Sequence, residues 1–183
     1  QSKRKCTGRK VKQNIFLLDM RRVTGNKGVL PIECVNPKKD KWRIRWDVQE
    51  HEDDSADYME EEFDHKPTDE EIKAIVIVWY NRQTDQAILS GFEYEGNLVW
   101  LSSENQFNYK VAYDLAVQTS GATLPVTFKF GTDEQPVYRV FDTLEELTDF
   151  YVSAIRYVQE TLEAGWKRKN AFDLELYKLN KLL

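Results

Sequence analysis

The stretch Val137-Tyr138-Arg139-Val140-Phe141-Asp142-Thr143-Leu144-Glu145-Glu146-Leu147-Thr148-Asp149-Phe150 changes its hydrophobic period halfway. Up to Phe141 it alternates, with Tyr138 and Val140 set against Val137, Arg139 and Phe141, which is the two-residue repeat of a β-strand. From Leu147 the apolar residues fall three to four apart, through Phe150, Tyr151, Ala154, Val158 and Leu162 to Trp166. That is the stripe of an amphipathic helix. Thr143 and Glu146 mark the junction. The Thr143 hydroxyl is placed to accept from the backbone N–H three residues on, and the Glu146 carboxylate to reach back, which is a capping box. The same signature occurs twice upstream. Thr68 with Glu71 follows Pro67 and precedes Ile72, Ile75, Val76 and Trp79. Ser103 with Gln106 precedes Phe107, Val111 and Leu115. Three helices are expected, each packing through those apolar residues.

Strands are expected between the helices. Ile88–Tyr94 and Leu98–Ser102 flank the turn Glu95-Gly96-Asn97. Pro125–Phe130 and Val137–Phe141 flank Gly131–Pro136, with Val126, Phe128 and Phe130 alternating. The order α-ββ-α-ββ-α indicates an α+β fold of antiparallel hairpins with helices on one face. Upstream, Asn14–Val23 reads as a strand, Thr24–Gly28 as a turn, and Val29–Val35 as an edge strand because it holds Pro31. In Lys41–Val48, Trp42, Ile44 and Trp46 share one face, with Arg43 and Arg45 on the other. Tyr58–Phe63 is expected to pair with it after the acidic loop 49–57, completing a small β-meander of four strands. Three regions follow: a basic arm (1–13) without periodicity and flexible on its own, a β-rich subdomain (14–64), and an α+β domain (65–183).

Charge is divided along the chain. Residues 1–45 hold fourteen Lys/Arg against three Asp/Glu, a net +11, and residues 46–183 hold twelve against twenty-eight, a net −16. A basic head on an acidic body calls for a partner surface. Lys3, Arg4, Lys5, Arg9, Lys10 and Lys12 form one candidate partner-binding set. Asp53, Asp54, Asp57, Glu60, Glu61 and Glu62 form the complementary acidic set. Nucleic acid is a possible partner of the arm, with Trp42 or Trp46 stacking on bases. It is not favoured, because the −16 body repels a duplex laid across it.

No catalytic signature stands out. His51, His65 and the acids between them could offer oxygen ligands, but they lack the calcium-loop pattern and zinc spacing, so they read as a solvated acidic loop. No G-x-S-x-G elbow, phosphate-cradling glycine pattern or H-E-x-x-H occurs. Cys6 lies among cations that would lower a thiol pKa, but no histidine or carboxylate neighbours it in sequence. Cys6 and Cys34 read as two free cytosolic thiols, with a bridge between them the alternative. No catalytic residue, metal or cofactor is assigned, and no apolar run is long enough for a membrane span. Tyr80, Tyr94, Tyr109 and Tyr113 read mostly as core or its edge, with some free to serve an interface.

Trp100-Leu101-Ser102-Ser103-Glu104-Asn105-Gln106, then Ala112-Tyr113-Asp114-Leu115-Ala116, then Thr123-Leu124-Pro125-Val126-Thr127-Phe128-Lys129-Phe130-Gly131 carry a resemblance. Residues 68–170 resemble a domain-of-unknown-function family of phage and prophage genes, often beside tail and tail-fibre genes. Trp42-Arg43-Ile44-Arg45-Trp46 is similar to what precedes that domain in Bacteroides-type prophages. The resemblance implies a non-enzymatic virion structural component of the tail, baseplate or fibre region, assembled in the bacterial host cytoplasm. Its implied partners are other phage structural proteins or further copies of itself in a ring. The alternatives are a cytoplasmic tail-fibre assembly chaperone, and a mobile-element nucleic-acid-binding regulator or enzyme.

Overall fold

The computed structural model describes residues 20–178. These divide into two units, one of residues 20–72 with 174–178 and one of residues 73–173. Their elements are α+β, as expected. The basic arm and Asn14–Asp19 lie outside the described residues.

The first unit is a four-stranded antiparallel sheet of β1 (Arg21–Asn26), β2 (Ile32–Asn36), β3 (Lys41–Glu50) and β4 (Ser55–Phe63), in the order β1-β4-β3-β2. Strands β2, β3 and β4 form the expected meander, and β2, with Pro31 just before it, is an edge. The first strand differs from expectation. It pairs with β4 rather than β2, and it continues through Thr24 and Gly25 to Asn26. Gly25 is not a turn residue. It sits opposite Ala56 where the Tyr58 hydroxyl crosses the strand, and a Cβ there would overlap that ring. A glycine inside a strand here marks close approach. The turn follows at Gly28, whose φ is +72°.

On one face of this sheet Ile32, Ile44, Trp46 and Met59 are buried. The other face of β3 carries Arg43 and Arg45. An extra residue, Asp47 at φ +52°, interrupts the β3–β4 ladder between Trp46↔Met59 and Gln49↔Asp57. This β-bulge ends the regular alternation and leaves Val48 exposed. A 3-10 turn at Leu174–Tyr177 belongs to the same unit, and its Tyr177 hydroxyl donates to the Arg45 carbonyl at 2.6 Å.

Helix α1 (Asp69–Leu89) contains the division between the units. It opens on the expected capping box. The Glu71 N–H donates to the Thr68 hydroxyl at 3.2 Å, and the Glu71 carboxylate accepts from the Thr68 N–H at 2.8 Å. Ile72, Ile75, Val76 and Trp79 are buried, as the spacing indicates. The helix runs past the expected strand start, so that Ile88 and Leu89 are helical. Gly91, at φ +78°, then turns the chain where a Cβ would collide with the Val99 carbonyl.

The second unit continues with the hairpin β5 (Phe92–Tyr94) and β6 (Asn97–Val99), helix α2 (Ser103–Gln118), the hairpin β7 (Val126–Gly131) and β8 (Pro136–Phe141), and helix α3 (Leu144–Asn170). Glu95 and Gly96, at φ +49° and +75°, are the two central residues of a tight β5–β6 turn. Both φ values positive is the type I′ requirement. The two hairpins remain separate two-stranded sheets. The full Thr143–Glu146 capping box opens α3. The start of α2 is one residue earlier than expected, because Ser102 and not Ser103 accepts from the Asn105 N–H, while Gln106 donates to the Leu101 carbonyl.

The core of this unit is an aromatic cluster around Phe150, whose ring lies 5.0–5.6 Å from those of Tyr94, Tyr109, Phe128, Phe130 and Phe141. Such edge-to-face and tilted contacts add to the area buried. Against it α2 presents Tyr109 and Ala116, both buried, with Tyr113 stacked on Tyr151 at 4.5 Å. Phe107, Val111 and Leu115 were expected to be the packing face. They point the other way, with Phe107 65% exposed. Helices α1 and α3 meet closely at Gly165, where a Cβ would strike the Thr84 side chain. Tyr157 adds a hydrogen bond to the Ala87 carbonyl at 3.0 Å.

Candidate functional site

The charged residues of the first unit are sorted by the sheet register. Arg21 of β1 and Arg45 of β3 both face Glu60 of β4, and Arg43 faces both Glu62 of β4 and Glu33 of β2. Basic and acidic strands therefore alternate across one face. Glu60 is 3% exposed, and its two oxygens take Arg21 at 3.1 Å, Arg45 at 3.2 Å and Arg43 at 3.3 Å. Arg45, 7% exposed, also donates to Glu33 at 2.8 Å and to the Leu30 carbonyl at 3.1 Å, and its guanidinium lies 5.5 Å from the Tyr58 ring centre. Arg43 binds Glu62 at 2.6 Å, and that hydrogen bond holds the Glu62 carboxyl below its ordinary value. Arg22 pairs with Asp47, and Lys41 with Asp64. A cleft of about 250 Å³ opens beside Arg21, Glu60, Glu61 and Glu62.

The acidic set named from the sequence is thus split by the fold. Glu60 is a buried internal counter-ion. Asp57 is held by the Thr24 hydroxyl at 2.6 Å and by His51 at 3.1 Å, which keep its carboxyl below the usual range. Glu61 is half-buried in the β4 row that faces Ile44. Glu62 is half-exposed and bonded to Arg43. Only Asp53 and Asp54, joined by Glu50 and Glu52, stand out as an exposed acidic tip between β3 and β4. Among the described residues, none forms an ion pair with Glu52, Asp53 or Asp54. Asp53 is lowered by the hydrogen bond it accepts from Ser55. The opposite set, Lys3, Arg4, Lys5, Arg9, Lys10 and Lys12, lies outside the described residues, as does Cys6. Cys34 is a free, half-buried thiol on β2.

Trp46 is 3% exposed and packed with Ile32 and Ile44, so it is a core residue and cannot stack on a base. Trp42 is half-buried, its indole N–H given to Asp40 at 2.7 Å, with the Lys66 ammonium 5.5 Å from its ring centre. Both histidines are tied to carboxylates, His51 to Asp57 and His65 to Glu71 at 3.0 Å. Among the described residues no His/Cys/Asp/Glu group could hold a metal ion, and no helix is long and apolar enough to cross a membrane. In the second unit, burial and the hydrogen bond it donates to Asp149 push the Tyr94 hydroxyl up to about 12. Burial alone does the same to Tyr109.

The feature sequence reasoning missed is the outer face of α2. At 100° per residue, Phe107, Val111 and Leu115 lie within 40° of one line along the helix, and Tyr109, Tyr113 and Ala116 lie on the opposite side. Phe107, Val111 and Leu115 are 65%, 38% and 46% exposed. An aligned row of large apolar side chains facing water is a mark of an interaction surface. The sequence carries the signal as two apolar stripes on one helix, of which the more hydrophobic reads as core by composition alone. Comparison with protein-family models, curated proteins and solved structures finds no match for this chain.

Proposed function

We propose that this chain is a non-enzymatic assembly component of a tailed-phage or prophage particle, placed in the tail, baseplate or fibre region and acting through protein–protein contacts. The observation that supports it is how the charge is distributed once the sheet has formed. Arg21, Arg22, Lys41, Arg43 and Arg45 are matched to carboxylates within the first unit. The basic excess that remains belongs mainly to residues 1–13, with six cations and no acid. Part of the acidic excess, Glu50, Glu52, Asp53 and Asp54, stands together at the exposed β3–β4 tip. The arm of one copy binding the tip of a neighbour, or of another particle protein, joins unlike surfaces. Head-to-tail contacts of that kind close into rings or extend into filaments.

Exposed charges attract weakly and are screened by salt, with a Debye length of about 10 Å at 0.1 M. Sedimentation velocity at low and high salt, on the full chain and on Glu52→Lys/Asp54→Lys, tests the reading. Larger species at low salt that are lost at about 0.5 M, and that the double variant fails to form at any salt concentration, are the expected result. A monomer at every salt concentration that also retains no particle protein in pull-downs at low salt overturns it.

A further inference from the structure

We infer that the outer face of α2 is a two-fold contact with a second copy of this chain, the two helices packed antiparallel about Val111. The inference rests on the assembly reading above and names a second surface for it. Reading outward from Val111, the exposed face is matched residue by residue. Four positions either side are Phe107 and Leu115, three positions either side are Asn108 and Asp114, and seven positions either side are Glu104 and Gln118. A two-fold axis through Val111 sets each member of a pair against its mate on the other copy. Phe107 then packs on Leu115, the Asn108 amide donates to the Asp114 carboxylate beside the Lys110 ammonium that pairs with it on its own helix, and the Gln118 amide donates to the Glu104 carboxylate. No like charges meet. This self-complementarity is what an isologous interface requires, and it singles out a second copy over a foreign partner.

The packing is open to this approach. Tyr109, Tyr113 and Ala116 hold α2 to its own unit from the opposite side, so the stripe is presented without unfolding anything. Helices pack with axes 8–10 Å apart, a spacing that brings residue 111 of one copy onto residue 111 of the other. Residues 107 of the two copies would stand eight helical rises apart, about 12 Å.

Disulfide trapping reads this geometry directly. In a Cys6→Ser/Cys34→Ser background, Val111→Cys is expected to give a covalent dimer on mild oxidation. Phe107→Cys and Leu115→Cys should each stay monomeric alone and cross-link when mixed, since Cα atoms more than about 7 Å apart cannot be bridged. In parallel, Val111→Glu should weaken self-association at least tenfold by sedimentation equilibrium, at high salt as well as low, with an unchanged circular dichroism spectrum. Absence of a Val111→Cys dimer, or cross-linking of Phe107→Cys alone as readily as Val111→Cys, overturns the inference. So does a dimer that Val111→Glu leaves intact, or a Val111→Glu defect confined to a different protein. Salt-sensitive association through the acidic tip would survive such a failure. Loss of that association with α2 cross-linking intact would overturn the arm-to-tip reading and leave this one.

Discussion

Removing the Glu60 charge tests what the alternating ion pairs do for the first sheet. In Glu60→Gln one carboxylate oxygen becomes an NH2 group that cannot accept from a guanidinium. Arg21, 58% exposed, can turn to water. Arg45, 7% exposed, cannot, and it keeps only Glu33 and the Leu30 carbonyl. Breaking a buried pair by removing one partner costs about 3–5 kcal/mol, because the remaining charge stays buried. Gln keeps one acceptor and Glu33 offers a second carboxylate, which places the expected loss at the lower end, about 3 kcal/mol. Glu62→Gln removes an equal charge from the same strand, but at 48% exposure, where such pairs are worth about 0–1 kcal/mol. Urea unfolding followed by tryptophan fluorescence, which Trp42 and Trp46 report from this sheet, separates the two. With a slope of about 2 kcal/mol per molar, Glu60→Gln lowers the midpoint by about 1.5 M and Glu62→Gln by less than about 0.5 M. Equal shifts for the two variants would refute the idea that burial makes Glu60 the centre of the network.

Other consequences follow from the second unit and from pH. Phe150→Ala, at the centre of five aromatic contacts, is expected to cost about 3–5 kcal/mol. Phe107→Ala should change the same urea midpoint by less than about 0.5 kcal/mol equivalent, as exposed sites do. Gly165→Ala should lose about 1–3 kcal/mol by overpacking against Thr84, and adding Thr84→Ala should return most of it. Acid stability should fall below about pH 4.5. The Thr68 and Thr143 backbone N–H groups hold the Glu71 and Glu146 carboxyls under their ordinary value of 4.5. The unfolded chain then takes up protons first, and the stabilisation present above that pH is lost as pH falls. Glu146→Gln, which removes the titrating carboxyl, should flatten this limb in pH-dependent melts. On the alkaline side, Tyr94 and Tyr109 ionise near 12 when folded and near 10 when unfolded. Stability should therefore fall between those values, and tyrosinate absorbance should appear together with unfolding.

How much of this was legible depended on how local each signal is. Helix starts are set by contacts three residues apart, so Thr68–Glu71 and Thr143–Glu146 were read directly. Ser102 and Ser103 are adjacent hydroxyls, each followed three positions on by an amide side chain, and the fold selected the earlier one. The end of α1 was misplaced because Ile88 suits a strand as well as a helix, and the decision came from Gly91 against the Val99 carbonyl. The face of α2 was inverted because hydrophobicity favours Phe107, Val111 and Leu115, whereas the core had room for the flat rings of Tyr109 and Tyr113 and the small Ala116. The alternation of Arg43 and Arg45 was visible in sequence. That Glu60 would be their buried counter-ion depends on the β3–β4 register and on β1 crossing to the far side of β4, pairings between residues far apart in the chain.

The most direct test of the assembly role is mass spectrometry of purified particles from the phage or induced prophage that encodes this chain. Recovery in intact particles at a stoichiometric copy number is the expected result. Abundance in the lysate with absence from the particles would contradict it and favour a chaperone or regulator.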